Sequence, residues 1–132
     1  MPKQKIQIEK ELKSSSQNII WSLISDIDRL SHWLADDIKE QRDILTFIWG
    51  DIYKHHEIRQ ATIIEQVKYH YIRFKWLDEE DEQAYMELRM EKSDITGDYI
   101  LVITDFAYPD EVDSMKDLWD DNLEKLHQLS GL

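Results

Sequence analysis

The sequence predicts an α+β fold in which an antiparallel sheet of about six to seven strands packs one face against a long C-terminal helix. Apolar residues alternate with polar ones in residues 3–12 and again between residues 44 and 106, as in strands with one buried face. Apolar residues recur at helical spacing in residues 19–27 and, most strongly, in residues 110–130. The 132 residues contain no repeat, linker or low-complexity tract, so we expect residues 1–132 to form a single domain.

The first elements are a strand and two short helices. In residues 3–12, the apolar side chains share one parity, which indicates an amphipathic strand. The serines of residues 14–16 are good N-cap residues for a helix whose apolar stripe runs through residues 19–27. A second short helical stretch covers residues 30–34 and ends at two aspartates, residues 36 and 37.

Strands follow from residue 44, where the apolar period changes to two. Three apolar side chains in residues 45–49 share one face, and Gly50 with Asp51 supplies a turn. Residues 55–77 would span about 75 Å as one strand, which is far beyond ordinary strand length. The apolar parity also shifts within this run. We therefore expect two strands, separated by a turn or bulge near residues 67–70.

The remaining strands are separated by polar turns. Residues 78–82 are all acidic, which predicts a solvated turn. Residues 84–90 alternate most regularly, and a turn at residues 96–98 leads into residues 99–106, the most apolar strand. Pro109 and the residue after it end that strand and begin the last helix.

The C-terminal helix, residues 110–130, is about 30 Å long. Acidic and amide side chains occupy one side, and Asn122 interrupts the apolar side. Asn122 could bond to a ligand, or instead to a backbone carbonyl or a water. When residues are placed at 100° intervals, the apolar stripe covers an arc of about 140°. It contains Val112, Met115, Leu118, Trp119, Leu123, Leu126 and Leu129.

Composition and charge exclude several classes of protein. The chain has 28 acidic and 16 basic residues, and its formal charge of −12 repels nucleic-acid phosphates and anionic membranes. The absence of cysteine excludes disulfides, thiolate metal sites and a cysteine nucleophile. No apolar run approaches the roughly 20 residues of a membrane helix, and no signal peptide opens the chain. We therefore expect a cytoplasmic domain without nucleic-acid binding or membrane insertion.

No motif for catalysis or for metal or cofactor binding is present. Neither His-x-His nor His-Glu-x-x-His spacing occurs, and His55 and His56 would point to opposite faces of a strand. The three glycines are too scattered for a phosphate-binding loop, and no Gly-x-Ser-x-Gly sequence occurs. Arg73 and Arg89 alternate with apolar neighbours, so we expect them to face solvent. The sequence therefore predicts no metal, no cofactor and no identifiable catalytic residue.

Several short motifs accompany this order of elements. Serines at residues 14–16 precede a helix with the pair Ile20-Trp21, and Leu-Ser-His-Trp-Leu-Ala at residues 30–35 precedes the sheet. One strand ends in the Phe-Lys-Trp of residues 74–76, and residues 119–129 read Trp-x-x-x-Leu-x-x-Leu-x-x-Leu. This arrangement resembles the START-like (SRPBCC, helix-grip) superfamily. Within it, the likeness is to the AHSA1 type, which is related to the activator of Hsp90 ATPase.

The resemblance implies a curved sheet that grips the long helix, with an apolar cavity between them. Strand alternation and the helix stripe select the residues that would line it, among them three of the four methionines, which adapt to irregular shapes. The same side chains could instead simply fill the core. The candidate lining residues are Phe47, Trp49, Ile72, Phe74, Trp76, Met86, Leu88, Met90, Leu101, Ile103, Met115, Leu118, Trp119, Asn122 and Leu123.

The resemblance implies no single activity, because the superfamily spans lipid carriers, hormone receptors, cyclases, oxygenase subunits and co-chaperones. Our first hypothesis is a non-enzymatic START-like domain that binds a small apolar or amphipathic ligand in the cavity. The second is a protein-interaction module without a ligand, either a homodimer or a co-chaperone-like partner of an Hsp90-type chaperone. A cyclase- or hydrolase-like enzyme is the third, and it requires a buried ionisable group in a sizeable pocket, which the sequence does not reveal.

Overall fold

The computed structural model describes residues 2–50 and 56–132. The predicted turn at Asp51 and the predicted side-chain directions of His55 and His56 lie outside the described part of the chain. None of the described helices is long and apolar enough to cross a membrane. The elements within the described ranges are β1 Gln4–Glu11, α1 Gln17–Ser25, α2 Ile27–Leu30, β2 Asp37–Gln41, β3 Ile44–Gly50, β4 His56–Val67, β5 Tyr71–Trp76, β6 Met86–Lys92, β7 Tyr99–Ala107, a 3-10 helix at Pro109–Glu111, and α3 Val112–Ser130.

These seven strands form one sheet in the order β1-β7-β6-β5-β4-β3-β2, and every neighbouring pair is antiparallel. Strands β2 to β7 follow one another across the sheet, whereas β1 pairs with β7, with Gln7 opposite Thr104. The long α3 ends the chain, and two short helices follow β1. The predicted α+β fold, with its antiparallel sheet, two short helices and long C-terminal helix, is confirmed.

The core lies between one face of the sheet and the helices. Inward-facing residues alternate along the strands, and Phe47, Phe74 and Leu88 are fully buried. Ile24 of α1 and Leu30 of α2 are fully buried in the same cluster. The alternation in the sequence therefore identifies the sheet face that is buried.

The break between α1 and α2 lies at Asp26. Its backbone is extended, its N–H donates to the Ser22 carbonyl, and its side chain accepts from the Asp28 N–H. The predicted helix through residues 19–27 is therefore too long, because Asp26 ends α1 and caps α2. α2 is a single turn, and residues 31–34, most of the predicted second helical stretch, form turns after it.

The sequence does not predict β2. It predicts only that a helical stretch ends at residues 36 and 37, where β2 begins. It lies at one edge of the sheet, and Ile38 is its one buried residue. A strand with a single buried side chain shows too little alternation to be recognised in a sequence. With β2, the sheet reaches the upper end of the predicted six to seven strands.

The run of residues 55–77 contains two strands, as predicted. β4 and β5 are joined by a turn at residues 68–70, in which Tyr69 has φ +67°. The Tyr69 hydroxyl donates to the side-chain oxygen of Asn18 at 2.7 Å, which anchors this left-handed residue to α1. A β-bulge within β4 adds a further register shift that the sequence does not predict.

On the outer face of the sheet, Arg73 and Arg89 flank a buried carboxylate instead of standing free in solvent. Glu87 is 5% exposed and accepts hydrogen bonds from Arg73 Nη2 at 2.7 Å and Arg89 Nε at 3.2 Å. Burial opposes ionisation of Glu87, but these hydrogen bonds outweigh it and hold the pKa of Glu87 below its usual value. The arginines therefore lie on the solvent side of the sheet, as expected, but they are engaged in a local ion-pair network.

Candidate ligand-binding site

A cavity of about 210 Å³ lies between the first half of α3 and the inner face of the sheet. Glu57 and Leu118, which are exposed, stand at its opening. Its wall combines nine apolar side chains with six charged or amide ones. Among the described residues, the lining consists of Lys3, Leu34, Phe47, Trp49, Glu57, Arg59, Trp76, Glu79, Met86, Asp105, Phe106, Met115, Leu118, Trp119 and Asn122.

One face of α3 forms the helical wall of the cavity. Met115, Leu118, Trp119 and Asn122 are spaced i, i+3, i+4 and i+7, which places them on one side of the helix. Asn122 is buried, so the residue that interrupts the apolar stripe faces the cavity. Leu118 and Leu129 are 50% and 46% exposed, because both lie at one edge of the predicted apolar arc.

An aromatic cluster forms the sheet side of the cavity. Phe47 and Trp49 of β3 and Trp76 of β5 project from the same face of the sheet, on two strands separated by β4. The Phe47 ring centroid lies 4.9 Å from that of Trp76 and 5.8 Å from that of Trp49. The Trp49 indole N–H donates to the Leu34 carbonyl at 3.2 Å, which ties the cluster to the turn after α2. These contacts fix large ring surfaces around the empty space.

Asp105 brings a buried carboxylate to the wall. It follows Leu101 and Ile103 at a spacing of two along β7, so its side chain points to the inner face. It is 8% exposed; Oδ2 accepts from the Trp119 indole N–H at 2.9 Å, and Oδ1 accepts from the Phe106 backbone N–H at 2.8 Å. Burial raises the pKa of Asp105 to about 6, although both hydrogen bonds favour the charged form. No ion pair joins Asp105 to another described residue.

The two cationic side chains of the wall are each held by a carboxylate. The Lys3 ammonium lies 2.8 Å from Glu79, and both side chains are largely buried. The Arg59 guanidinium binds both oxygens of Asp78, at 2.7 and 3.1 Å, and its Cζ lies 4.2 Å from the Trp76 ring centroid. Asp105 is thus the buried carboxylate of the cavity that has no ion-pair partner among the described residues.

Eight of the fifteen candidate residues border the cavity, and seven do not. The eight are Phe47, Trp49, Trp76, Met86, Met115, Leu118, Trp119 and Asn122. The others lie in the closed core, because α1 packs against β5 and β6 and closes that part of the interface between helices and sheet. They are Ile72, Phe74, Leu88, Met90, Leu101, Ile103 and Leu123. That the eight bind a ligand stays a prediction.

Of the charged and amide residues in the lining, Asn122 alone is among the candidates predicted from the sequence. Asp105 was not a candidate. It shares the parity of Leu101 and Ile103, so strand alternation indicates that its side chain faces inward. Glu57 and Arg59 lie in residues 55–77, where the apolar parity shifts. No local pattern there indicates that these two side chains face the cavity. Asp105 is therefore a buried ionisable group in a pocket, which the sequence alone did not reveal.

Solved structures share this architecture. BfR322 from Bacteroides fragilis, determined by NMR, is 43% identical over 98% of this chain and 92% of its own, with a TM-score of 0.62. The Aha1 dimer from Colwellia psychrerythraea is 14% identical over 92% of each chain, with a TM-score of 0.70. DynU16, a protein of the dynemicin biosynthetic locus, is 12% identical, with a TM-score of 0.74; 96% of this chain matches 48% of that one. The Aha1 dimer and DynU16 share the fold of this chain.

Sequence comparison agrees with the structural one. No curated protein matches the sequence. A family model described as the START-like superfamily domain matches residues 1–132. The resemblance drawn from the sequence is thereby confirmed, and AHSA1-type proteins such as Aha1 are among the structural neighbours. The chain belongs to the START-like superfamily.

Proposed function

We propose that this START-like domain binds a small amphipathic ligand in the cavity between the sheet and α3. The observation that carries the proposal is the cavity itself, about 210 Å³ of space walled by fixed aromatic rings and a few convergent polar groups. That combination of apolar surface for affinity and sparse polar groups for orientation is typical of ligand sites. A domain of this kind fits the cytoplasmic location expected from the sequence.

The size of the cavity limits the ligand. An apolar cavity of about 150 Å³ holds one benzene molecule. The space here, about 210 Å³, therefore suits a ligand of roughly ten non-hydrogen atoms, such as a single substituted ring. A two-chain lipid would need a far larger site, so a small aromatic or cyclic molecule is the better match.

We propose binding in preference to catalysis. The described lining contains no serine, threonine, tyrosine, cysteine or histidine, so no hydroxyl, thiol or imidazole nucleophile from it faces the cavity. Among the described lining residues, Asp105 is the buried ionisable group without an ion-pair partner, and a cyclase- or hydrolase-like enzyme would use it as acid or base. Each of its oxygens accepts one hydrogen bond, from Trp119 or from the Phe106 backbone, which fixes the orientation of the carboxylate as in a binding group.

A protein-interaction module is the second candidate, and the dimeric state of the solved Aha1 structure favours it. β4 exposes three large apolar side chains, Ile58 at 48%, Ile64 at 53% and Val67 at 40%. Exposed apolar side chains on a sheet surface are compatible with a contact between two copies of the chain. A homodimer of this kind would be concentration-dependent and independent of any small molecule.

Native mass spectrometry of the protein purified from its own organism tests both candidates. Ligand binding predicts a non-covalent adduct on the order of 100–200 Da that is lost on denaturation. Met115→Trp places a larger side chain in the cavity and should abolish the adduct, whereas Lys116→Trp on the exposed side should keep it. A folded Met115→Trp variant that still carries the adduct would contradict the cavity site. An adduct-free dimer would favour the interaction module.

A further inference from the structure

We propose that the cavity selects ligands that carry a protonated amine, with the carboxylate of Asp105 as the group that receives the ammonium. This inference rests on the proposed function, because it names the chemical class of the ligand for the same cavity. It follows from three observations: an unmatched buried carboxylate, cations that are already paired, and an aromatic wall.

The carboxylate of Asp105 has bonding capacity left. An ionised carboxylate offers about four acceptor positions, and two are taken here, by the Trp119 indole and the Phe106 backbone N–H. The side chain is 8% exposed and contributes to the cavity wall, so its remaining positions are directed at the cavity or its immediate surroundings. A donor on the ligand would complete them, and a positively charged donor would do so most strongly.

The charges around the cavity favour a cation over an anion. An anionic ligand would have to compete with Glu79 for Lys3 and with Asp78 for Arg59, which is held by two hydrogen bonds. A cationic ligand displaces nothing, because Asp105 has no ion-pair partner within the described chain. The formal charge of −12 on the whole chain also draws cations towards the protein.

The aromatic wall is compatible with a cation at close range. Trp49, Trp76 and Trp119 all border the cavity, and tryptophan rings attract cations more strongly than other aromatic rings do. Arg59 already lies over the Trp76 ring, with its Cζ 4.2 Å from the centroid. The same rings provide apolar contact for the rest of the ligand, so an aromatic or cyclic amine uses both properties of the wall.

The test compares three probes that share a phenyl ring and differ in the charge of the head group: 2-phenylethylamine, 2-phenylethanol and phenylacetate. Binding is measured by calorimetry near neutral pH, where the pKa of about 6 leaves Asp105 ionised. We expect the amine to bind about ten- to a hundredfold more tightly than the alcohol. Asp105→Asn should reduce that preference to less than about threefold without a comparable loss of alcohol binding. Asp94→Asn, which removes an exposed charge in a turn, should leave the preference unchanged.

The outcomes separate this proposal from the one on which it rests. Equal affinity for amine and alcohol, or tightest binding of phenylacetate, would overturn the amine proposal and leave ligand binding in the cavity intact. An amine preference that survives Asp105→Asn would also overturn it, because recognition would then lie elsewhere. If none of the probes binds, the amine proposal fails, and the native mass spectrum decides separately whether the cavity holds a ligand.

Discussion

The indole N–H of Trp119 donates to the carboxylate of Asp105 across 2.9 Å and so joins α3 to β7 at the wall of the cavity. Both residues are buried, and the bond links two elements that are neighbours in sequence through the 3-10 helix at Pro109–Glu111. The bond holds the carboxylate in place while leaving part of it open to the cavity. The ionisation of one side chain is therefore coupled to the docking of the long helix.

Asp105→Asn should remove part of the pH dependence of stability in the ligand-free protein. Folding raises the pKa of Asp105 from 3.8 to about 6, so the folded state prefers the neutral acid. Its contribution to stability is therefore complete below about pH 4 and is lost as the pH rises through about 6. Asparagine does not titrate, so we expect the stability of the variant relative to wild type to rise by about 1–3 kcal/mol between about pH 4 and about pH 7.5. Its amide nitrogen cannot accept from Trp119 or Phe106, which lowers the stability of the variant by a similar amount at both pH values.

Urea unfolding of both proteins at the two pH values measures that difference. Lys3 and Arg59 are the charged neighbours that favour ionisation, and they are unchanged in the variant. A stability difference from wild type that is equal at both pH values would contradict the assigned titration. Asp94→Asn serves as the control for losing one negative charge and should change stability by less than about 0.5 kcal/mol.

Trp119→Phe should raise the pKa of Asp105 further. Phenylalanine keeps most of the ring but removes the N–H that stabilises the ionised carboxylate. We expect a loss of about 1–2 kcal/mol of stability near neutral pH and a smaller loss in acid. An NMR titration of the Asp105 carboxyl carbon measures the pKa directly. Trp49→Phe removes an indole bond to the Leu34 carbonyl instead and should leave the pKa of Asp105 in place.

Glu87→Ala should destabilise the sheet from its outer face. The substitution leaves the guanidinium groups of Arg73 and Arg89 without their shared carboxylate, which is 5% exposed. We expect a cost of about 1–3 kcal/mol. The pKa of Glu87 is lower in the folded state than in the unfolded state. The contribution of Glu87 to folding stability is therefore fully present above its unfolded-state pKa, and it is lost as the pH falls through its folded-state pKa.

Glu91→Ala is the matched change on the same strand, at an exposed position. Thermal unfolding near neutral pH should separate the two variants clearly. Equal stability of the Glu87 and Glu91 variants would show that the arginine pairing contributes nothing measurable.

Leu123→Ala and Leu118→Ala should differ strongly, although both leucines belong to the predicted apolar stripe of α3. Leu123 is 7% exposed in the core, and its truncation should cost about 2–4 kcal/mol. Leu118 is 50% exposed at the opening of the cavity, and its truncation should cost less than about 1 kcal/mol. Chemical denaturation of the two variants checks the contrast. If Leu118→Ala lowered the free energy of unfolding more than Leu123→Ala does, Leu118 would not lie at the exposed opening of the cavity.

The sequence predicts the fold well because periodicity reports directly which side chains are buried. Alternation along β6 and β7 and the stripe of α3 identify the inner face, and the buried Phe74 and Leu88 lie on it as expected. Periodicity fails where burial is slight, as in β2, which buries one residue. It also fails at Asp26, where a single capping side chain divides one apolar stripe into two helices.

The cavity depends on tertiary packing that no local pattern records. Phe74 and Trp76 share a strand face, yet Phe74 is fully enclosed while Trp76 borders the cavity. The difference lies in which part of the sheet α1 covers, and that is a relation between distant segments. For Asp105, the parity along β7 correctly indicates an inward-facing side chain. Nothing in the sequence indicates that a cavity lies beside it.

The pairing of β1 with β7 also determines the order in which the chain can fold. β2 to β7 can pair successively as hairpins, each with the strand just before it. β1 must wait for β7, which is made after β2 to β6, because Gln7 lies opposite Thr104. During synthesis at about 5–20 residues per second, β1 is therefore unpaired for several seconds. We expect the closure of this long loop to be the slow step of folding, so substitutions in β1 should slow folding more than substitutions of similar cost in β2.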